Sequence, residues 1–191
     1  CDELGMFVEV EAPFCWAHQA DVPADKHYDV LVNQHVEMVN LNRSHPSILM
    51  WSMGNESLKF KEYFKQASET VKQLDPTRPR IFSQWGPDAD EGTLEITNHH
   101  YPGPEGPDKY RHYKRPVTFD EFCHLNAYNR LELAADPGLR NMWGKLLDAM
   151  WNDMYHSQGV LGGAIWVGID DTFFLPGEKA VGYGTWGTID G

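Results

Sequence analysis

Short apolar runs rich in β-branched and aromatic residues alternate along this chain with segments whose apolar residues recur at helical spacing. Such alternation is typical of a parallel sheet covered by helices. We predict six strands, near residues 6–10, 48–52, 80–84, 94–98, 116–121 and 163–167. The sequence therefore predicts an α/β fold in a single domain, residues 1–191.

Three segments between these strands carry the apolar stripe of a helix that packs on a sheet. The first contains Val32, Val36 and Val39. The second contains Phe60, Phe64, Ala67, Val71 and Leu74, and Asp75-Pro76 ends it because proline disfavours helix in the residue before it. In the third, Asp136 is the predicted N-cap and Pro137 the first helical residue. Its apolar face continues toward Gly159 through Leu139, Met142, Leu146, Met150 and Met154.

Charge and composition exclude several classes of protein. Sixteen Lys and Arg residues against 28 Asp and Glu give a net charge of −12 over 191 residues, which argues against nucleic-acid binding. We expect no membrane partner, because no apolar run approaches the roughly 18 residues of a membrane span. Three cysteines at no metal-like spacing indicate neither a disulfide framework nor a zinc site. The compartment stays open.

Two of the predicted strands are followed by carboxylates. Asn55 and Glu56 come shortly after the strand at 48–52, and Glu121 comes at the end of the strand at 116–121. In parallel βα folds, reacting groups lie at the carboxyl ends of strands. We therefore expect Glu56 and Glu121 to face one rim.

A pair of carboxylates can break a glycosidic bond when one is protonated and the other is ionised. Asn55, beside the acid, could then hydrogen-bond the sugar 2-hydroxyl. Aromatic residues make up 13% of the chain, and flat aromatic faces suit the C–H face of a sugar ring. The candidate platforms are Trp51, Trp85, Trp166, Trp186 and Tyr101.

Each candidate also has a purely structural interpretation. Glu56 could be a first-turn glutamate favoured by a helix dipole, and Glu121 a solvated residue at a strand end. His100 and His124 could be loop or core histidines. We interpret Trp143 and Trp151 as core residues of the third helix. Asp170-Asp171 is interpreted as a solvated loop pair or cap, with binding of a sugar hydroxyl as the alternative.

The stretch from residue 42 to residue 57, NRSHPSILMWSMGNES, closely resembles the acid/base signature of glycoside hydrolase family 2. That family includes β-galactosidases, β-glucuronidases and β-mannosidases. The run CDELGM at the start resembles the family's third-strand entry, and GAIW at 163–166 its eighth strand. The resemblance implies a (β/α)₈ TIM barrel of which strands three to eight are present.

By this resemblance Glu56 is the general acid/base, Asn55 the 2-hydroxyl ligand and Glu121 the nucleophile. The family is retaining, which implies carboxyl groups about 5 to 5.5 Å apart. Tyr101 resembles the tyrosine that hydrogen-bonds the nucleophile, and His124 resembles a histidine near the sugar 6-hydroxyl.

Other features of the family narrow the expected function. Trp166 resembles a strand-eight tryptophan that a cis peptide bond often follows, and we expect it to bind the substrate. His100 and Trp85 are further candidates for substrate binding. The magnesium-ligand pattern of some galactosidases is not reproduced near Glu9 and Glu11, so we expect no cofactor and no catalytic metal. The Asn-x-Lys pair that holds a sugar carboxylate in glucuronidases is absent from the sequence, which disfavours an acidic substrate.

The leading hypothesis is a retaining, galactosidase-like exo-β-glycosidase acting on a carbohydrate substrate. Because a first pair of barrel strands would precede Cys1, we expect the chain to be an incomplete part of a longer enzyme. In isolation it should be inactive and should self-associate through open sheet edges. Two alternatives are a carbohydrate-binding pseudo-enzyme and a metal hydrolase that uses some of the nine histidines.

Overall fold

The computed structural model describes residues 1–16, 23–57, 62–84, 86, 88–124, 135–167, 172–174 and 180–182. The chain divides into two compact units, Cys1–Asn98 and His99–Gly191. Each unit is described by itself. The prediction of a single domain over residues 1–191 stays a prediction.

The first unit contains a parallel sheet. Its strands are β1 (Val8–Glu11), β2 (Ile48–Asn55) and β3 (Arg80–Ser83), hydrogen-bonded in that order, and a short β4 (Thr97–Asn98) follows in the chain. Val8 lies opposite Ile48 in the β1–β2 pair. These strands confirm the predicted parallel arrangement, and β2 runs three residues beyond the predicted end, which makes Asn55 its last residue.

Strand β4 is shorter than the predicted range of 94–98. The carboxylate of Asp90 accepts hydrogen bonds from the backbone N–H groups of Gly92 and Leu94, at 3.2 and 2.8 Å. Because the Leu94 N–H is engaged by a local side chain, it is not available to a neighbouring strand, and β4 begins at Thr97.

The helices of the first unit carry the predicted stripes. They are α1 (Asn33–Asn42), which a π-helical turn at Tyr28–Val32 precedes, and α2 (Glu62–Leu74); short 3₁₀ turns lie at Asp2–Leu4 and Ala24–Lys26. Val32 and Val39 are fully buried, as are Phe64, Ala67 and Val71. Phe60 lies outside the described residues. The stripes pack into one core with β2.

Trp51, on β2, is the centre of a polar network inside this core. Its side chain has no exposed surface, and its indole N–H donates to Asp75 Oδ2 at 3.1 Å. Arg78 also donates to Asp75 Oδ2, at 2.6 Å, and to the carbonyl of Ile48 at 2.7 Å. Trp51 is therefore a core residue, and its prediction as a sugar platform is wrong.

The second unit contains a parallel pair of strands and one long helix. They are β5 (Val117–Phe122), α3 (Pro137–His156) and β6 (Val160–Ile165), with a 3₁₀ turn at Pro107–Tyr110. Asp136 caps α3 by accepting from the Leu139 N–H at 2.8 Å, which confirms the predicted start. Strand β6 begins three residues before the predicted range, directly after Gly159, whose φ of 89° makes the turn.

The two parallel strands of the second unit approach each other closely at Gly163. A Cβ atom at this position would collide with the carbonyl oxygen of Phe119 on β5. Gly163 lies opposite Phe119 in the strand register. The absence of a side chain is therefore what allows this spacing.

Two predictions on α3 are wrong. Met142 and Trp151 are 54% and 53% exposed, whereas Met150 and Met154 are buried as predicted. Trp143 is half-buried and packs against the core with Leu146. The apolar face of α3 is therefore covered mainly along its second half.

A hairpin of two short strands escaped prediction. The strands are β7 (Thr172–Phe174) and β8 (Ala180–Gly182), and they pair antiparallel. Within the described part of the chain, no helix is both long and apolar enough to cross a membrane.

The Asp75 network allows a stability prediction. Burial alone would raise the pKa of Asp75, but hydrogen bonds from Thr77, Arg78 and Trp51 hold it well below the ordinary value of 3.8. We expect Asp75→Asn to lower the free energy of unfolding by about 2 kcal/mol near neutral pH, measured by urea denaturation.

The pH dependence follows from the direction of the shift. A depressed pKa contributes stability above the ordinary value, and this stability is lost as the pH falls through the lower folded value. The difference in the free energy of unfolding between the variant and the unsubstituted protein should therefore be smaller at about pH 3 than near neutral pH. Asp25→Asn, at an exposed site, is the matched control, and equal effects of the two substitutions would contradict the prediction.

Candidate active site

Asn55 and Glu56 lie at the carboxyl end of β2. Gly54 has a φ of 146°, and a Cβ at this position would lie 3.1 Å from the Phe14 carbonyl oxygen and 3.2 Å from the Phe64 ring. The Asn55 N–H donates to the same Phe14 carbonyl at 2.7 Å. The end of β2 is therefore packed tightly against the segment that follows β1.

Glu56 is held by its backbone and by its side chain. Its φ is 41°, in the left-handed region, and its N–H donates to the carbonyl of Ser83, the last residue of β3, at 2.8 Å. Its Oε2 accepts a hydrogen bond from the indole N–H of Trp16 at 2.8 Å. Glu56 is half-buried, so the residue combines a fixed orientation with access to solvent.

Asn55 is held from the same side. Its amide Nδ2 donates to Cys15 Sγ at 3.4 Å, and Cys15 forms an isolated parallel bridge with it. The Asn55 Oδ1 atom is buried and has no hydrogen-bond partner among the described residues. An acceptor in this state would gain from a hydroxyl donor.

Glu121, near the end of β5 in the second unit, is contacted by Tyr101. The Tyr101 hydroxyl donates to Glu121 Oε2 at 2.5 Å, and the Tyr101 N–H donates to the Glu121 carbonyl at 2.9 Å. Tyr101 has a φ of 49°. An O–H donor to a carboxylate is a strong hydrogen bond, so the orientation of the Glu121 side chain is fixed.

His100 lies next to Tyr101 and Glu121. Its ring is buried, with Nε2 3.0 Å from Asp120 Oδ1 and Nδ1 3.6 Å from Glu121 Oε2. His100 therefore contacts the carboxylates of two successive residues of β5. Its predicted contact with a substrate stays a prediction.

Cys123 and His124 follow β5 directly. Burial lowers the pKa of His124, and its ring centroid lies 6.1 Å from that of Tyr101. The Cys123 carbonyl accepts from the Trp143 indole at 2.6 Å. Burial raises the pKa of the Cys123 thiol to about 11, so it stays protonated near neutral pH.

Trp166 follows β6 directly. Its N–H donates to the Phe122 carbonyl at 3.0 Å, and its side chain is half-buried. The Trp166–Val167 peptide bond is cis, in agreement with the expectation drawn from the resemblance. Trp166 thus lies at the carboxyl end of a strand, as predicted.

The structure brings together some predicted residues within each unit. Asn55 and Glu56 are adjacent in the first unit, and the second unit groups four of them: His100, Tyr101, Glu121 and His124. Trp85 and Trp186, together with Asp170-Asp171, lie outside the described residues. The catalytic and binding roles themselves stay predictions.

Sequence reasoning missed two residues. Trp16 was given no role, although it lies just beyond the carboxyl end of β1, where the same strand-end argument applies. Asp120, which precedes Glu121, had no predicted role either, yet it contacts His100. Both follow from the rule that reacting groups gather at the ends of parallel strands.

The acidic residues of β1 have local partners. Ser52 donates to Glu11 Oε2 at 3.2 Å, and Ser83 donates to Glu9 Oε1 at 3.4 Å. The two serine hydroxyls are also 2.8 Å apart. This network links all three strands of the first sheet.

Comparison with known proteins identifies the family. A model described as "Glycosyl hydrolases family 2, TIM barrel domain" matches residues 1–158. A β-glucuronidase from Paenibacillus borealis is 31% identical over 121 residues, covering 50% of this chain and 20% of the relative. A β-galactosidase from Thermoanaerobacter pseudethanolicus is 35% identical over 80 residues, covering 41% of this chain and 10% of the relative.

The chain therefore spans a fifth or less of the length of these two relatives. Among solved structures, a β-galacturonidase from Eisenbergiella tayi bound to galacturonate aligns with a TM-score of 0.72 at 18% identity. The alignment covers 100% of this chain and 38% of that structure. This likeness supports a TIM-barrel fold, while the assignment of the strands as numbers three to eight stays a prediction. The match over residues 1–158 shows that the chain belongs to glycosyl hydrolase family 2, as a part of its TIM barrel domain.

Proposed function

We propose that the protein is a retaining β-glycosidase that hydrolyses O-glycosidic bonds by double displacement, with Glu56 as the acid/base and Glu121 as the nucleophile. The observation that carries the proposal is the family match, which spans both carboxylates. Two local features support it: a donor fixes the carboxyl group of Glu56, and another fixes that of Glu121.

In the first step Glu121 attacks the anomeric carbon while Glu56 gives a proton to the departing oxygen. The C–O bond to the leaving group breaks as the bond from the anomeric carbon to Glu121 forms. In the second step water attacks the glycosyl–enzyme, and Glu56 takes the proton of that water as Glu121 departs. Both glutamates end each cycle in their starting protonation states.

The neighbouring residues are assigned by the same proposal. Tyr101 orients Glu121 and stabilises its negative charge through the 2.5 Å hydrogen bond. Asn55 offers its side-chain amide to the sugar 2-hydroxyl, an interaction that strengthens in the transition state. His124 and Trp166, both half-buried at strand ends, contribute contacts to the sugar, as does Trp85, and the buried His100 contacts the carboxylates of Asp120 and Glu121.

The substrate is proposed to be a neutral β-glycoside, with β-galactosides preferred, since a matched relative is a β-galactosidase. A β-glucuronide is the second candidate, since a matched relative is a β-glucuronidase. The isolated chain is proposed to be inactive and to self-associate, and the tests below therefore use the full-length protein.

A panel of aryl glycosides separates the two substrate candidates. We expect the full-length protein to hydrolyse 4-nitrophenyl β-D-galactoside with a higher kcat/KM than the matching glucoside, mannoside or glucuronide. Release of nitrophenolate gives the rates. A clear preference for the glucuronide would overturn the neutral-sugar proposal but leave the glycosidase assignment intact.

Replacement of the nucleophile tests the mechanism. Glu121→Gln should lower kcat by at least about 1,000-fold, because an amide cannot form the covalent intermediate. The unsubstituted protein, incubated with 2,4-dinitrophenyl 2-deoxy-2-fluoro-β-D-galactoside, should carry the fluorosugar on Glu121 in a peptide mass map. An unlabelled protein with no turnover on any glycoside of the panel would favour the carbohydrate-binding pseudo-enzyme instead.

The hydrogen bond to Glu121 gives a separate prediction. Tyr101→Phe removes only the hydroxyl, and we expect kcat to fall by about 10- to 100-fold, the range for loss of a hydrogen bond to a charged group. Tyr155→Phe, at an exposed position on α3, is the matched control and should keep the full rate. Equal rates for the two variants would contradict the assigned role of Tyr101.

A further inference from the structure

In the first unit, Trp16 contacts the carboxyl group of Glu56 through a polar atom of its side chain. Its indole N–H lies 2.8 Å from Glu56 Oε2. We propose that Trp16 is a positioning residue for the acid/base, and that it directs the transferred proton to the other carboxyl oxygen, Oε1. This inference rests on the proposed role of Glu56.

The two side chains come from segments whose backbones are hydrogen-bonded to each other. The Trp16 N–H donates to the Asn55 carbonyl at 3.1 Å, and the Asn55 N–H donates to the Phe14 carbonyl at 2.7 Å. The relative position of the indole and the carboxyl group is therefore set by main-chain contacts on both sides of Asn55. Such support is what an acid/base needs to keep its proton in line with the reacting oxygen.

Both residues have unusual backbone conformations. Trp16 has a φ of 54° and Glu56 a φ of 41°, a region that few residues other than glycine occupy. Conformations of this kind persist where the surroundings hold them, and they cluster at functional sites. Here the holding contacts are the hydrogen bonds from Trp16 to Asn55 and from Glu56 to Ser83.

The chemistry of the donor decides which oxygen carries the proton. An indole N–H can only donate, so Glu56 Oε2 must present a lone pair to it in both protonation states. The carbonyl oxygen of a carboxylic acid accepts a hydrogen bond more strongly than its hydroxyl oxygen, so this contact favours the protonated form whose O–H is on Oε1. In the first step Oε1 gives its proton to the departing oxygen, and in the second step Oε1 takes the proton of the attacking water.

Trp16 could instead act on the sugar directly. Its side chain is 59% exposed, and an exposed indole face can stack on a sugar ring. The two roles differ in what they do to different leaving groups. In kcat/KM, which reports the first step, a positioning role matters only when the leaving oxygen needs a proton, whereas a stacking role affects every glycoside of the same sugar.

The test compares two substrates of the full-length protein: methyl β-D-galactoside, whose leaving group needs protonation, and 2,4-dinitrophenyl β-D-galactoside, whose leaving group does not. Trp16→Phe keeps an aromatic face and removes the N–H. We expect kcat/KM to fall by about tenfold on the methyl glycoside and by less than about twofold on the dinitrophenyl glycoside. Equal losses on both substrates, or no loss on either, would overturn the proposal.

Trp151→Phe is the matched control, because Trp151 is similarly exposed, at 53%, and lies on α3. It should leave both rates unchanged. If the panel shows that another sugar is preferred, the same two aglycones are used on that sugar. If Trp16→Phe is unstable in urea denaturation, Trp16→Leu also removes the N–H and takes its place.

A double substitution separates this inference from the proposed function. In a Glu56→Ala background, Trp16→Phe should change kcat/KM on the dinitrophenyl glycoside by less than about twofold, because the effect of Trp16 depends on Glu56. A further tenfold loss would indicate direct action on the sugar and overturn the proposal.

Glu56→Ala alone should lose activity on the methyl glycoside selectively. Azide should restore the turnover of this variant, with a β-glycosyl azide as the product. Failure of that variant to do so would contradict the proposed function itself. If Glu56→Ala behaves as expected but Trp16→Phe does not lose activity selectively on the methyl glycoside, only the role of Trp16 is contradicted.

Discussion

Strand β2 is hydrogen-bonded to a parallel neighbour on each side, and the contacts at its two ends govern the rest of the first unit. At its start, Arg78 binds the Ile48 carbonyl and joins Asp75 and Trp51 in a buried network. At its end, Phe14 and Ser83 accept the N–H groups of Asn55 and Glu56. Because both ends are fixed, the direction in which the Glu56 side chain leaves the sheet follows from the sheet itself.

The sequence was a good guide where local chemistry decides the structure. The Asp136-Pro137 start of α3 and the stripe of Phe64, Ala67 and Val71 follow from capping and periodicity, which depend on near neighbours alone. The shortened β4 was not predictable in this way, because the Asp90 side chain competes for the Leu94 N–H. Met142 was misjudged because periodicity indicates which face of a helix is apolar, not how far along the helix that face is covered.

The candidate site was predictable in part. Residue type and strand-end position singled out Asn55, Glu56 and Glu121, and the family resemblance supplied Tyr101 as the partner of Glu121. The hydrogen bond from Trp16 to Glu56 joins residues 40 positions apart, so it depends on the pairing of the segment after β1 with the end of β2. Trp51 was predicted to bind sugar but lies in the core. The sequence of a strand does not distinguish an aromatic residue that faces a pocket from one that faces the core.

Gly163 has a practical meaning for anyone who redesigns the second unit. Its missing side chain brings β5 and β6 so close that a methyl group would have to push them apart. Glu121 lies on the first of these strands and Trp166 directly after the second, and the Trp166 N–H is bound to the Phe122 carbonyl. The backbone separation beneath these two side chains therefore depends on the absence of a side chain at position 163.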